Sequence, residues 1–146
     1  MGCDIHLVLE KRIEEGRWVA VDTFNGHHPA HREKGRSINW SSPAARSRNY
    51  RRFAKLAGVR GDGPAPRGLP DDLSQTARFL SDDYGVDGHS HSWLAISDAI
   101  PIFDETEYWL DSETPDTFAR KFPADFFFGI ESEHIDSYRL VFWFDN

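Results

Sequence analysis

Cysteine is almost missing from this chain: Cys3 is the one thiol in 146 residues. No disulfide can form within the chain, and a zinc site built from several thiolates is excluded. Long apolar runs are missing too. No stretch approaches the roughly 18 apolar residues of a membrane span. The first turns of sequence carry Asp4, Glu10, Lys11, Arg12, Glu14 and Glu15 where a signal peptide would place its apolar segment. Positive charge is in deficit, with 17 Lys and Arg against 24 Asp and Glu and a formal charge of −7. Non-specific binding to DNA, RNA or an anionic membrane needs a broad basic field, and none is expected here. These absences predict a soluble cytoplasmic protein. Met-Gly-Cys superficially suggests N-myristoylation, but that signal requires Ser or Thr where this chain has His6.

What the chain has is aromatic mass. Phe, Trp and Tyr make up 14% of the residues within a hydrophobic fraction of 39%. Each such side chain removes roughly 150–250 Å² from water when buried, so aromatics carry much of the core. The length fits one domain over residues 1–146.

The strongest local pattern is alternation at the two ends. Cys3, Ile5, Leu7 and Leu9 fall on one face of a strand; Asp4, His6, Val8 and Glu10 fall on the other. Glu14-Glu15-Gly16 reads as a turn and Arg17–Thr23 as a returning strand, which makes a β-hairpin. Ser137–Asp145 alternates Tyr138, Leu140, Phe142 and Phe144 against Arg139, Val141, Trp143 and Asp145. Both of its faces are largely apolar, which predicts a central strand.

Between these ends the signals are helical. Ser41-Ser42-Pro43 predicts a helix start, with Gly58 ending the helix after Ala57. Ser74 predicts the cap of a second helix, with Leu73, Ala77, Leu80 and Tyr84 as its apolar stripe and Gly85 closing it. Ser92 suggests the cap of a third through Ile100, and Thr114-Pro115-Asp116 the start of a fourth. Phe126-Phe127-Phe128 is a buried run of either type. The segments Asn25–Asn39 and Gly61–Pro70 read as loops. The expected fold is α+β: an N-terminal hairpin and a central C-terminal strand in a small, mostly antiparallel sheet, packed by three to four short helices.

Acidic and imidazole side chains cluster in two places. Asp4 and His6 share a strand face because side chains repeat every second residue. Asp87-Gly88-His89-Ser90-His91 offers a second such group, and Asp145 a further carboxylate. Imidazole nitrogen and carboxylate oxygen suit zinc, manganese or iron, so Asp4, His6, His89 and Asp145 are candidate metal ligands. Without metal, His6, His89 and Asp4 are candidates for acid–base work. The plain alternative is structural, with Asp87 bonding its own turn and the histidines satisfying backbone groups. His27, His28 and His31 read best as a solvated loop. Cys3 lies across the strand from His6, which favours a buried small side chain over a nucleophile.

Arg48, Arg52 and Lys55 recur at helical spacing, and Arg60 follows. Guanidinium groups bind phosphate and carboxylate in bidentate fashion, so Arg48 and Arg60 are candidate ligand contacts for a small anion, with Tyr50 between them as a further candidate. A solvated face paired with acids elsewhere in the chain is the plain reading.

The order Cys3-Asp4-Ile5-His6, Arg48-Asn49-Tyr50 with Phe53-Ala54, Leu56–Arg60, Arg67–Asp72, His89-Ser90 and Val141–Asn146 resembles a family of small uncharacterised phage and bacterial proteins. The resemblance covers most of the chain and implies a location in the host cytoplasm if the chain is phage-encoded. It brings no activity. Members often begin Met-Cys-Asp-Ile-His, whereas Gly2 intervenes here, so loss of Met1 alone would not expose Cys3. His89 is the more typical of the two loop histidines, which makes it the stronger partner for His6.

Two functions are compatible with these residues. One is a hydrolase acting on a phosphorylated or nucleotide-like small molecule, assisted by a divalent metal such as zinc or manganese. The other is a non-catalytic binding protein that sequesters a small nucleotide or blocks a host protein with an aromatic surface to which Trp40, Trp93 and Trp109 contribute.

Overall fold

The computed structural model describes residues 2–23, 48–106 and 136–146. Four strands form one antiparallel sheet: β1 (Asp4–Arg12), β2 (Trp18–Thr23), β3 (His89–Ala95) and β4 (Tyr138–Asp145), in the order β2-β1-β4-β3. Three α-helices are described: α1 (Tyr50–Ala57), α2 (Gln75–Tyr84) and α3 (Ile96–Glu105). The α+β expectation holds, and the hairpin and the central C-terminal strand are both present. The expected helix starts at Ser41 and Thr114, the Phe126–Phe128 run, His27, His28, His31, Trp40 and Trp109 lie outside the described residues.

The two end strands are neighbours. β1 and β4 pair without interruption from Asp4↔Asp145 to Lys11↔Tyr138. This register sorts their side chains as the alternation requires. Ile5, Leu7, Leu9, Leu140, Phe142 and Phe144 face α1 and α3, meeting Phe53, Leu56, Ile96 and Phe103. Val8, Val141 and Trp143 face α2, meeting Ala77 and Leu80. The sheet is therefore covered on both faces, which is why β4 is buried from Arg139 to Phe144.

Two helix expectations are corrected. Helix α1 starts at Tyr50, because Asn49 is its cap: the Asn49 side chain accepts a hydrogen bond from the Arg52 N–H at 3.0 Å. Arg48 therefore precedes the helix and does not share a helical face with Arg52 and Lys55. Arg52 is buried against the end of α3, where its Nε donates to the Thr106 hydroxyl at 2.9 Å. Lys55 pairs with Glu105 at 2.7 Å. Residues His89–Ala95 form a strand rather than leading into a helix, and Ser92 lies inside it, accepting from the Arg67 N–H at 3.0 Å. Trp93 and Leu94 fill opposite faces of the sheet, so pairing with β4 overrides the local capping signal.

Helix α2 begins at the expected cap, with the Ser74 hydroxyl accepting from the Ala77 N–H at 3.2 Å, and Gly85 follows its last turn. It spans the sheet between Glu10 and His6. Four strand residues at about 3.4 Å each match ten helix residues at about 1.5 Å each, so Ser74 sits by Glu10 and Tyr84 by His6.

Candidate functional site

Each end of the α2-facing side of the sheet carries a polar network. At one end Glu10 is fully buried, and its carboxylate accepts from Arg139 Nε at 2.6 Å and from the Ser74 N–H at 2.8 Å. Arg139 also donates to Asp72 at 2.7 Å, and its guanidinium lies 4.1 Å over the Trp18 ring. Arg139 holds the Asp72 carboxyl below its ordinary range. A groove of about 600 Å³ opens beside this network, lined by Trp18, Asp72, Leu73 and Gln75 among others. None of the candidate catalytic, metal or ligand residues lines it, and its buried charges, Glu10 and Arg139, are paired. This end reads as structural cement between β1, β4 and α2.

The opposite end is open and holds most of the candidates. Asp4 and Asp145 stand directly across from each other on β1 and β4. Like charges in that position repel unless compensated. Arg48 compensates Asp4, donating from Nε to Oδ1 at 2.6 Å and from Nη2 to Oδ2 at 3.1 Å. This contact drives the Asp4 carboxyl below its usual range. Arg48 lies over Gly2, where any Cβ would overlap the guanidinium. The other carboxylate meets an imidazole: Asp145 Oδ1 is 3.4 Å from His6 Nε2. Exposure rises outward, from 13% at the His6 side chain to 27% at Asp145 and 47% at Asp4.

His6 is held on three sides. Its Nδ1 is 2.9 Å from the Tyr84 hydroxyl, its ring centroid is 4.1 Å from that of Tyr84, and it stacks on Trp143 at 6.0 Å. Trp143 is fully buried, and its indole N–H finds no hydrogen-bond partner among the described residues. Burial, with the charges of Asp145, Asp83 and Asp4, pushes the Tyr84 hydroxyl pKa up.

On the other face of the sheet, at the same end, Cys3 is buried and its backbone N–H donates to the Tyr50 hydroxyl at 3.3 Å. Burial pushes the Cys3 thiol pKa up against the pull of the nearby Arg60. Arg60 itself is exposed, with its guanidinium 5.3 Å over the Tyr50 ring. Arg48, Tyr50 and Arg60 thus gather around the starts of β1 and α1.

The histidines of β3 divide. Ser90 adopts φ 55°, and the pairing with β4 shifts register between His89 and Ser92. This irregularity breaks the i, i+2 relation expected of an extended segment. His89 stacks on Phe144, with Nε2 3.3 Å from Asn146 Oδ1. His91 stacks on Trp143, so it shares the sheet face of His6, and burial followed by His89 lowers its pKa. The structure brings Asp4, His6 and Asp145 together and puts His89 against a different ring. No group of three or more His, Cys, Asp or Glu side chains among the described residues is arranged to hold a metal ion. The residue that the sequence did not single out is Tyr84. It appeared only as part of an apolar stripe, which says nothing about where its hydroxyl goes.

The chain matches no family model, no curated protein and no solved structure. Among the described residues no helix is long and apolar enough to cross a membrane.

Proposed function

We propose that the open end of the sheet binds a small phosphorylated or nucleotide-like molecule and hydrolyses it. Arg48 and Arg60 meet the anion, Tyr50 flanks it, and the Asp145–His6 couple exchanges the proton. One observation carries this reading. Two carboxylates, Asp4 and Asp145, oppose each other across paired strands at a solvent-open edge, each with its own basic partner. Arg48 displaces the Asp4 carboxyl from its ordinary value, and displaced groups are enriched at functional sites. The backbone adds support: Arg60 and Ser90, both non-glycines at this end, have φ of 62° and 55°. Such strain concentrates where function over-determines geometry.

In the proposed reaction a water oxygen attacks phosphorus, and its proton passes to Asp145 with the His6 imidazole behind it. The departing oxygen takes a proton from solvent. A zinc- or manganese-assisted version requires Asp4 to release Arg48, because both Asp4 oxygens are engaged there. That same bidentate closure favours the second reading, in which the site only binds: an anion that draws Arg48 away gains a guanidinium without needing any chemistry.

Thermal-shift measurement with inorganic phosphate, nucleoside monophosphates and nucleoside triphosphates tests the site. Stabilisation that is lost in Arg48→Gln and Arg60→Gln is expected. No stabilisation by any of them, or stabilisation untouched by both substitutions, contradicts it. Ligand recovered chemically unchanged selects the binding reading.

A further inference from the structure

We infer that Tyr84 is a positioning residue: its hydroxyl donates to Nδ1 of His6 and fixes the neutral imidazole with its proton on Nε2, facing Asp145. A neutral imidazole has one donor and one acceptor nitrogen, whereas a tyrosine hydroxyl can play either part. The 2.9 Å separation from Tyr84 to Nδ1 therefore leaves the direction open by itself. The other nitrogen decides it. Nε2 stands 3.4 Å from Asp145 Oδ1, an ion-pair distance without the alignment of a hydrogen bond, and the negative carboxylate favours a proton over a lone pair on the nitrogen nearest it. A lone pair on Nε2 would face the lone pairs of Asp145, so the proton belongs on Nε2. Nδ1 is then the acceptor and Tyr84 the donor.

The surroundings keep the hydroxyl a donor. Burial and the negative charges of Asp145, Asp83 and Asp4 all disfavour the phenolate. The ring has little freedom to turn away, packed at 4.1 Å on His6 and edge-on at 6.0 Å to Trp143. The Tyr84 proton then points to Nδ1, and the Nε2 proton lies on the side of the ring that borders the Asp145 carboxylate. Without the hydroxyl the imidazole can invert its tautomer and present a lone pair to Asp145. The assignment itself stands on geometry. Its functional meaning rests on the reading of Asp145 and His6 as a proton-exchanging couple.

Long-range ¹H–¹⁵N spectra of the imidazoles in the full chain at pH 8 test this, with His6 assigned by its loss in His6→Asn. The expected wild-type pattern is a proton-bearing Nε2 and an acceptor-type Nδ1. In Tyr84→Phe, which keeps the packed ring, the two ¹⁵N shifts should move towards each other. A proton-bearing Nδ1 in the wild type, or unchanged shifts in Tyr84→Phe, overturns the inference. Should Tyr84→Phe fail to fold, the wild-type pattern alone decides. No substrate is needed, so an Nε2–H tautomer in a protein without turnover would keep the role of Tyr84 and remove the hydrolase reading.

Discussion

Asp4 and Asp145 face each other across β1 and β4, with Arg48 Nε 2.6 Å from the first and His6 Nε2 3.4 Å from the second. The two compensations differ in kind. Arg48 is a permanent cation on an exposed side chain, while His6 is a partly buried imidazole wedged between Tyr84 and Trp143.

The first prediction concerns pH. Arg48 holds Asp4, and Arg139 holds Asp72, below the ordinary carboxyl value of 3.8. A depressed folded pKa gives stability that is present above 3.8 and lost as pH falls through the folded value. Burial likewise holds His91 below 6.5, so its share is complete above 6.5 and is lost as pH falls. Urea midpoints should therefore decline in two stages on acidification. Arg48→Gln should flatten the lower stage, its curve converging on the wild type at the acid end. Parallel curves at all pH values would contradict the assignment.

The buried pair at the other end should be costly to break. Glu10 is fully buried between Arg139 and the Ser74 N–H. Glu10→Ala leaves the Arg139 charge buried, with Asp72 as its remaining ion-pair partner, and should destabilise by about 3–5 kcal/mol in urea unfolding. Replacing both partners, as in Glu10→Leu with Arg139→Met, should recover much of that loss. A single-variant loss under about 1 kcal/mol would mean that the pair does not organise this end.

Asn49 joins α1 to the end of α3. It caps Arg52 N–H at 3.0 Å and donates from Nδ2 to the Thr106 carbonyl at 2.7 Å. Asn49→Ala removes both contacts and should cost about 2 kcal/mol, while Asn49→Ser, which retains capping alone, should cost about half as much. Equal losses in the two variants would assign the whole effect to the Nδ2 hydrogen bond to the Thr106 carbonyl.

The sheet was readable because its two central strands alternate in step with their burial. Cys3 to Leu9 and Leu140 to Phe144 show which residues face α1 and α3, and they place Asp4, His6 and Asp145 together on the other face. Helix α2 was readable from Ser74 and Gly85 because capping is local chemistry. Strand β3 was not. His89 to Ser92 lacks β-branched residues, and its strand identity comes from β4 beside it, which a local pattern does not reveal. The turn of backbone at Ser90 that separates His89 from His91 is likewise set by that pairing. The start of α1 is not legible either, because Ser42-Pro43 is the stronger capping signal in the sequence, although Asn49 is the cap. The role of Tyr84 is not legible in the sequence, because an aromatic in an apolar stripe looks the same whether or not its hydroxyl meets an imidazole.

The most direct test of the proposed function is hydrolysis measured with Asp145→Asn. Removing one of two opposed carboxylates relieves repulsion, so this variant should fold with wild-type stability or better. Phosphate release from a panel of phosphomonoesters and nucleotides should show turnover of at least one compound by the wild type. In Asp145→Asn that rate should fall by about 100-fold or more, the scale of a lost general base. Turnover unchanged in this variant, or no turnover of any compound by the wild type, would contradict the account.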